Sequence, residues 1–170
     1  AGGGNKMKET LLGQIEKQLD VCEETIGLTP DQSWTHAPKN ATPFAAELYH
    51  ILDGIRIYLD FTIKGRPFSW DPRYLDEDGK VNWSRDLSAC HTKDEMLTLI
   101  SAVRDRVRYE FAKPEMDRYM AGDLEPKHTN RHTGDSFLQG LVYLIRHTQQ
   151  HIGIICCGLR RHGVALPEWK

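Results

Sequence analysis

The chain has no run of about 18 apolar residues and no basic-then-apolar opening, so nothing reads as a membrane-spanning helix or a secretory leader. Nor does one sign of charge dominate. Lys and Arg number 22 against 24 Asp and Glu, giving a formal net charge of −2. Without a basic stripe interleaved with aromatics, nucleic-acid binding has no electrostatic support. Cysteine is scarce: Cys22, Cys90, Cys156 and Cys157 make no C-x-x-C pair and read as reduced, mostly buried thiols. Strand-like alternation and internal repeats are missing too. These absences point to a soluble, cytoplasmic protein built from helices.

What the chain does have is helical periodicity. Its 170 residues suit one domain, which at this length buries about 70% of its unfolded surface and needs no disulfides. Residues 1–6, Ala1-Gly2-Gly3-Gly4-Asn5-Lys6, read as a flexible or cloning-derived leader, leaving 7–170 as the domain. Leu12, Ile15, Leu19 and Cys22 mark a first helix from about Lys6 to Ile26, with Gly27 placed to end it. Thr29-Pro30-Asp31-Gln32 reads as a single capped turn before Trp34. Thr42 and Pro43 serve as N-cap and first position of a second helix reaching about Lys64. Its core stripe is Phe44, Leu48, Ile51, Ile55 and Leu59.

Residues 65 to 91 are rich in turn formers and aromatics, and read as a long connection packed over one end of the fold. The capping box Thr92-Lys93-Asp94-Glu95 opens a third helix to about Phe111, and an irregular segment follows Pro114. A fourth helix runs from Thr133 or Asp135 to about His162-Gly163. The expected fold is therefore all-α, a four-helix bundle with a long connection between its second and third helices.

On the fourth helix His147 and His151 stand one turn apart, about 6 Å along the axis, on the flank of a stripe of Phe137, Leu141, Leu144, Ile155 and Leu159. Two imidazoles so spaced can converge on one metal ion, as in helical H-x-x-x-H zinc sites. Gly140 and Gly158 fall on nearly the same line, so the flank reads glycine, histidine, histidine, glycine, the profile of an open crevice. His50, on the second helix, sits off its apolar stripe with Ala46 and Gly54 a turn to either side. Helices packed about 8–10 Å apart, with these flanks facing, would give three nitrogen donors and leave a position for water or substrate.

A stripe-edge histidine can equally be a half-buried side chain hydrogen-bonded to a neighbour, and periodicity alone does not choose. Glu47 and His50 form an E-x-x-H spacing, but the fourth helix offers no matching inward Glu, so a mononuclear site fits better than a di-iron centre. His128 and His132 repeat the H-x-x-x-H spacing in a polar stretch, where spacing without a helix means nothing. His36, His91 and His162 read as isolated surface or capping residues. Cys156 and Cys157 fall away from the histidine line.

With these residues in view, the chain resembles the DinB/YfiT-like superfamily of metal-binding four-helix bundles. The resemblance is carried by LTPDQSWTHAPKNATPFAAELYHIL through His50 and by HTQQHIGIICCGLRRHGVALPEW from His147 onward. It implies an up-down-down-up bundle holding a divalent metal, often zinc or nickel, on His50, His147 and His151. Dimers are common in such families, which makes a homodimer an expectation here. Characterised members include thiol-dependent S-transferases and a mycothiol-dependent isomerase, so the resemblance brings in a low-molecular-weight thiol as a cofactor. One departure is local: after His151 this chain reads IGIICCG, where relatives frequently carry a glutamine-type residue.

Two functions compete. In one, the chain is a mononuclear metalloenzyme, a thiol S-transferase or a hydrolase, whose ion activates a thiol or water toward a small-molecule substrate. Glu47, Tyr58 and Tyr143 are then candidates for steadying a ligand or handling a proton, while Arg56 and Arg146 either hold a carboxylate or face solvent. In the other, the bundle binds metal or a ligand without turnover, as a sensor or stress-related protein. A fourth coordination position filled by protein would favour the second.

Overall fold

The computed structural model describes residues 3–38, 41–83, 87, 89–129 and 134–168. Six helices follow one another: α1 (Gly3–Leu28), α2 (Asp31–Thr35), α3 (Phe44–Ile57), α4 (Lys93–Phe111), α5 (Pro114–Ala121) and α6 (Phe137–Arg161). The described residues form no strand, and Leu75 pairs with Val81 in an isolated bridge. Among them no helix is long and apolar enough to cross a membrane.

Helix ends differ from expectation in instructive ways. α1 begins at Gly3, inside the stretch read as a leader, and passes through Gly27 to Leu28. A helical glycine costs about 1 kcal/mol relative to alanine but does not stop a helix. The stop comes from Pro30, which disfavours helical backbone just before it. α3 opens one residue late, with Pro43 at the N-cap, and its last turn widens into a π-helical turn over Tyr58–Thr62. Thr92 and Glu95 form the expected capping box of α4. The segment after Pro114 is not irregular: Pro114 takes the first helical position, Met116, Tyr119 and Met120 are buried, and Gly122 ends the helix at φ +80°. α6 starts at Phe137 because Ser136 and Gln139 make a second capping box.

Side-chain pairs fix how the long helices run. Glu16 meets Arg108 at 2.5 Å and Asp20 meets Arg104 at 2.5 Å, so α1 and α4 are antiparallel. Beyond α3, Asp60 meets Arg106 at 2.5 Å and Lys64 meets Glu110, so that strand of chain rises alongside α4. The Gln18 amide donates to the Ile145 carbonyl at 2.9 Å, tying α1 to the middle of α6. Ile15, Leu19, Leu48, Ile51, Ile55, Ile100, Val107 and Leu141 are almost wholly buried between these helices.

The long connection lies along α3 rather than over an end. Tyr74 stacks on Tyr49 with ring centroids 3.8 Å apart, and Arg56 sits over Phe68 at 5.3 Å. The Asp71 amide donates to the Tyr49 hydroxyl at 2.9 Å. Burial of aromatic area on the flank of α3, not bundle closure, is what holds this segment.

Candidate metal centre

α3 and α6 lie antiparallel, and two bare glycines on α6 set their register. A Cβ added to Gly140 would stand 2.5 Å from the Tyr58 hydroxyl, and one added to Gly158 would stand 2.9 Å from the Phe44 ring. Each glycine therefore receives an aromatic ring from α3. Tyr58 is locked there by donating to the Phe137 carbonyl at 2.5 Å. The flank read as an open crevice is filled at its Gly140 end, because the neighbouring helix supplies the bulk that α6 lacks. Similarly, the space beside Gly54 belongs to His147, whose ring lies 3.8 Å from where a Cβ would be.

Between the two locks the histidines meet. His50, His147 and His151 offer nitrogen atoms that all lie within 4.8 Å of one another. His147 Nε2 is 3.2 Å from His50 Nε2 and 3.2 Å from His151 Nε2. The helical spacing and the facing of the two flanks are thus both realised. His50 comes from α3, one turn before Gly54, and the other two from successive turns of α6.

The protonation logic favours a cation. His151 Nδ1 stands 2.7 Å from Glu47 Oε2, and its donation there leaves Nε2 as the nitrogen that faces the other two rings. Burial first, then the neighbouring His151 and His147 rings, pushes His50 down to about 3. Burial and His151 also lower His147, against an opposing pull from Glu47. At neutral pH these two rings are neutral. A proton on His147 Nε2 can satisfy one of its two neighbours but not both. A metal ion answers all three at once, and two nitrogens about 2.05 Å from a tetrahedral zinc stand about 3.3 Å apart, close to the distances seen. No fourth His, Cys, Asp or Glu joins the group among the described residues.

The surroundings bear out one expectation, Glu47 behind a candidate ligand, and correct others. Glu47 acts through His151, a pairing between helices that the E-x-x-H spacing did not reveal. Tyr58 is no proton handler, since its hydroxyl is engaged and burial raises its pKa. Tyr143 lies against His147 with ring centroids 5.6 Å apart, and Arg146 sits over Tyr143 at 5.5 Å. Arg56 is held by buried Asp53 at 2.7 Å. Trp83, from the long connection, sets its edge against His50 at 4.8 Å, a neighbour that no local spacing announces.

The remaining histidines separate cleanly. His36 and His162 are C-cap residues of α2 and α6. His91 is not isolated. It lies within hydrogen-bond reach of Tyr74 at 2.9 Å and of Arg73 at 2.8 Å, and the arginine's donation makes Nε2 an acceptor. His128 stacks on Phe61 at 4.2 Å, in the turn that follows α3, and is not one of the converging histidines, while His132 lies outside the described residues.

A helical chain with three converging imidazoles and a carboxylate behind one of them fits a known group. The model of the DinB superfamily matches residues 14–155, more than half of the chain, and the protein belongs to that superfamily. No curated protein matches the chain.

Proposed function

We propose that this DinB-superfamily protein binds one divalent metal ion, zinc or nickel, on His50, His147 and His151 and uses it as a mononuclear catalytic centre acting on a small molecule. The observation that carries the reading is the convergence of three Nε2 atoms, one of them on a ring oriented from behind by Glu47. The antiparallel α1/α4 and α3/α6 pairs, with the chain after α3 rising beside α4, support an up-down-down-up arrangement of the four long helices.

A bound ion of this class lowers the pKa of a coordinated water or thiol and so supplies a nucleophile near neutral pH. The chain's own residues set the terms. Glu47 orients His151 and makes it a better donor. Tyr143 and Trp83 flank the rings and limit water around them. Three protein donors with no fourth among the described residues leave room for a thiol or water, which favours catalysis over a purely structural site.

The test is metal content of protein purified without a nickel column, beside a His147→Ala variant. About one equivalent per chain, lost in the variant, is the expected result. Protein that neither carries nor takes up metal on titration would sink the reading. With metal established, thiol transfer and hydrolysis are the two reactions to assay.

A further inference from the structure

The α3–α6 seam opens into a second space beyond the triad. Past the Glu47–His151 pair, toward the C-terminal end of α6, lies a cavity of about 420 Å³. Its volume is in the range of small-molecule pockets, about 300–1,000 Å³. Its walls are mostly apolar and include Pro38, Phe44, Gly153, Ile154 and Cys157. One feature keeps it open: a Cβ on Gly153 would meet nothing within 4 Å, whereas the space beside Gly158 is taken by the Phe44 ring. Ile154 lines this wall with 43% of its surface exposed.

Charge at the cavity is asymmetric. Its inner carboxylate, Glu47, is engaged by His151. His162 Nε2, at the rim, is 3.0 Å from the Ser33 hydroxyl. Arg161 lines the same rim, exposed, and no carboxylate pairs with it among the described residues. Arg56, Arg73, Arg104, Arg106 and Arg108 each hold one. The α6 C-terminus carries partial negative charge, so attraction for an anion must come from the guanidinium itself.

We propose that this cavity binds a small organic acid, its apolar body between Phe44 and Ile154 and its carboxylate on Arg161. This is a second site, separate from the metal and standing whether or not the triad is loaded. The Glu47 side chain is the wall common to both.

The test compares 4-phenylbutyrate with its neutral counterpart 4-phenylbutan-1-ol, titrated into the full chain by calorimetry. The acid is expected to bind about tenfold tighter, the size of one charge-assisted hydrogen bond. Arg161→Gln should erase that advantage and leave alcohol binding within about twofold. Gly153→Leu, which places a good helix former in open space, should cut acid binding at least about tenfold while the fold persists. Bound acid should also slow alkylation of the exposed Cys157 thiol by iodoacetamide. Equal affinity for acid and alcohol, or undiminished acid binding in Gly153→Leu, would overturn the proposal. His147→Ala separates the two sites: acid binding that survives loss of metal supports the cavity, and acid binding lost with the metal would move the acid to the triad and overturn it.

Discussion

Two buried carboxylates in this molecule are surrounded in opposite ways. Glu110, with no exposed side-chain surface, is ringed by Lys64, by Lys113 at 2.9 Å and by Arg106 at 3.1 Å. Burial alone would raise its pKa, but hydrogen bonds from Lys64 and Lys113 outweigh it and hold it below the usual range. Glu47, nearly as buried, faces one imidazole backed by two more. The first cluster brings its own positive charge and is complete. The second gathers ring nitrogens with no lysine or arginine bonded to them among the described residues. The first arrangement suits a clamp on the fold, and the second suits a cation bound from outside.

Breaking the first cluster has the largest expected effect on stability. Glu110→Ala leaves Lys64 and Lys113 facing each other without their carboxylate, with Arg106 falling back on Asp60, and should cost about 3–5 kcal/mol, read as a shift in the urea midpoint at unchanged slope. A loss under about 1 kcal/mol would mean that water already screens the site. The matching change in the second cluster acts on binding instead. Glu47→Gln keeps the shape but weakens the hold on His151, and should lower metal affinity about 10–100-fold by competition with a chelator. If it destabilised the metal-free fold as much as Glu110→Ala does, the contrast between the two clusters would fail.

Acid sharpens the comparison with a smaller effect. His50 titrates far below its ordinary 6.5, so the unfolded chain takes up a proton that the folded chain refuses. Stability of metal-free protein should therefore fall as pH drops below about 6.5, by up to about 1.4 kcal/mol per pH unit for each ring kept neutral. Glu110 is shifted in the same direction, downward, but from a lower starting value. Its contribution is full above the ordinary carboxylate value of 4.5 and declines only as pH falls through its lower folded value. Thermal unfolding from pH 7 to pH 4 should show the histidine loss alone first, and His50→Gln should flatten that slope.

Much of this was legible in the chain. The Thr92 capping box marks the start of α4, and the four-residue spacing of His147 and His151 puts both on one flank of α6, where the structure brings them to His50. α5 falls where an irregular segment is expected, yet it carries local helix signals: Pro114 at the start, Met116, Tyr119 and Met120 at helical spacing and Gly122 at the end. What could not be read was what one helix presents to another. A glycine on α6 announces space but not the ring from α3 that fills it, so Gly140 passed for a crevice. Glu47 was noticed through His50, its sequence neighbour, although its partner is His151. His91 passed for a surface residue because Arg73 and Tyr74 reach it through the folded connection, not through helical periodicity.

The two aromatic rings seated on Gly140 and Gly158 stand 18 positions apart on α6, about 27 Å of helix, with the triad between them. They act as two dowels through a joint. Sliding α3 past α6 by even one turn would have to lift both rings from their seats together. The histidines are thus held at fixed separation before any ion arrives, and little ordering entropy is left to lose on capture. Speed of capture should then be set by how fast the ion sheds water, not by how fast the helices move.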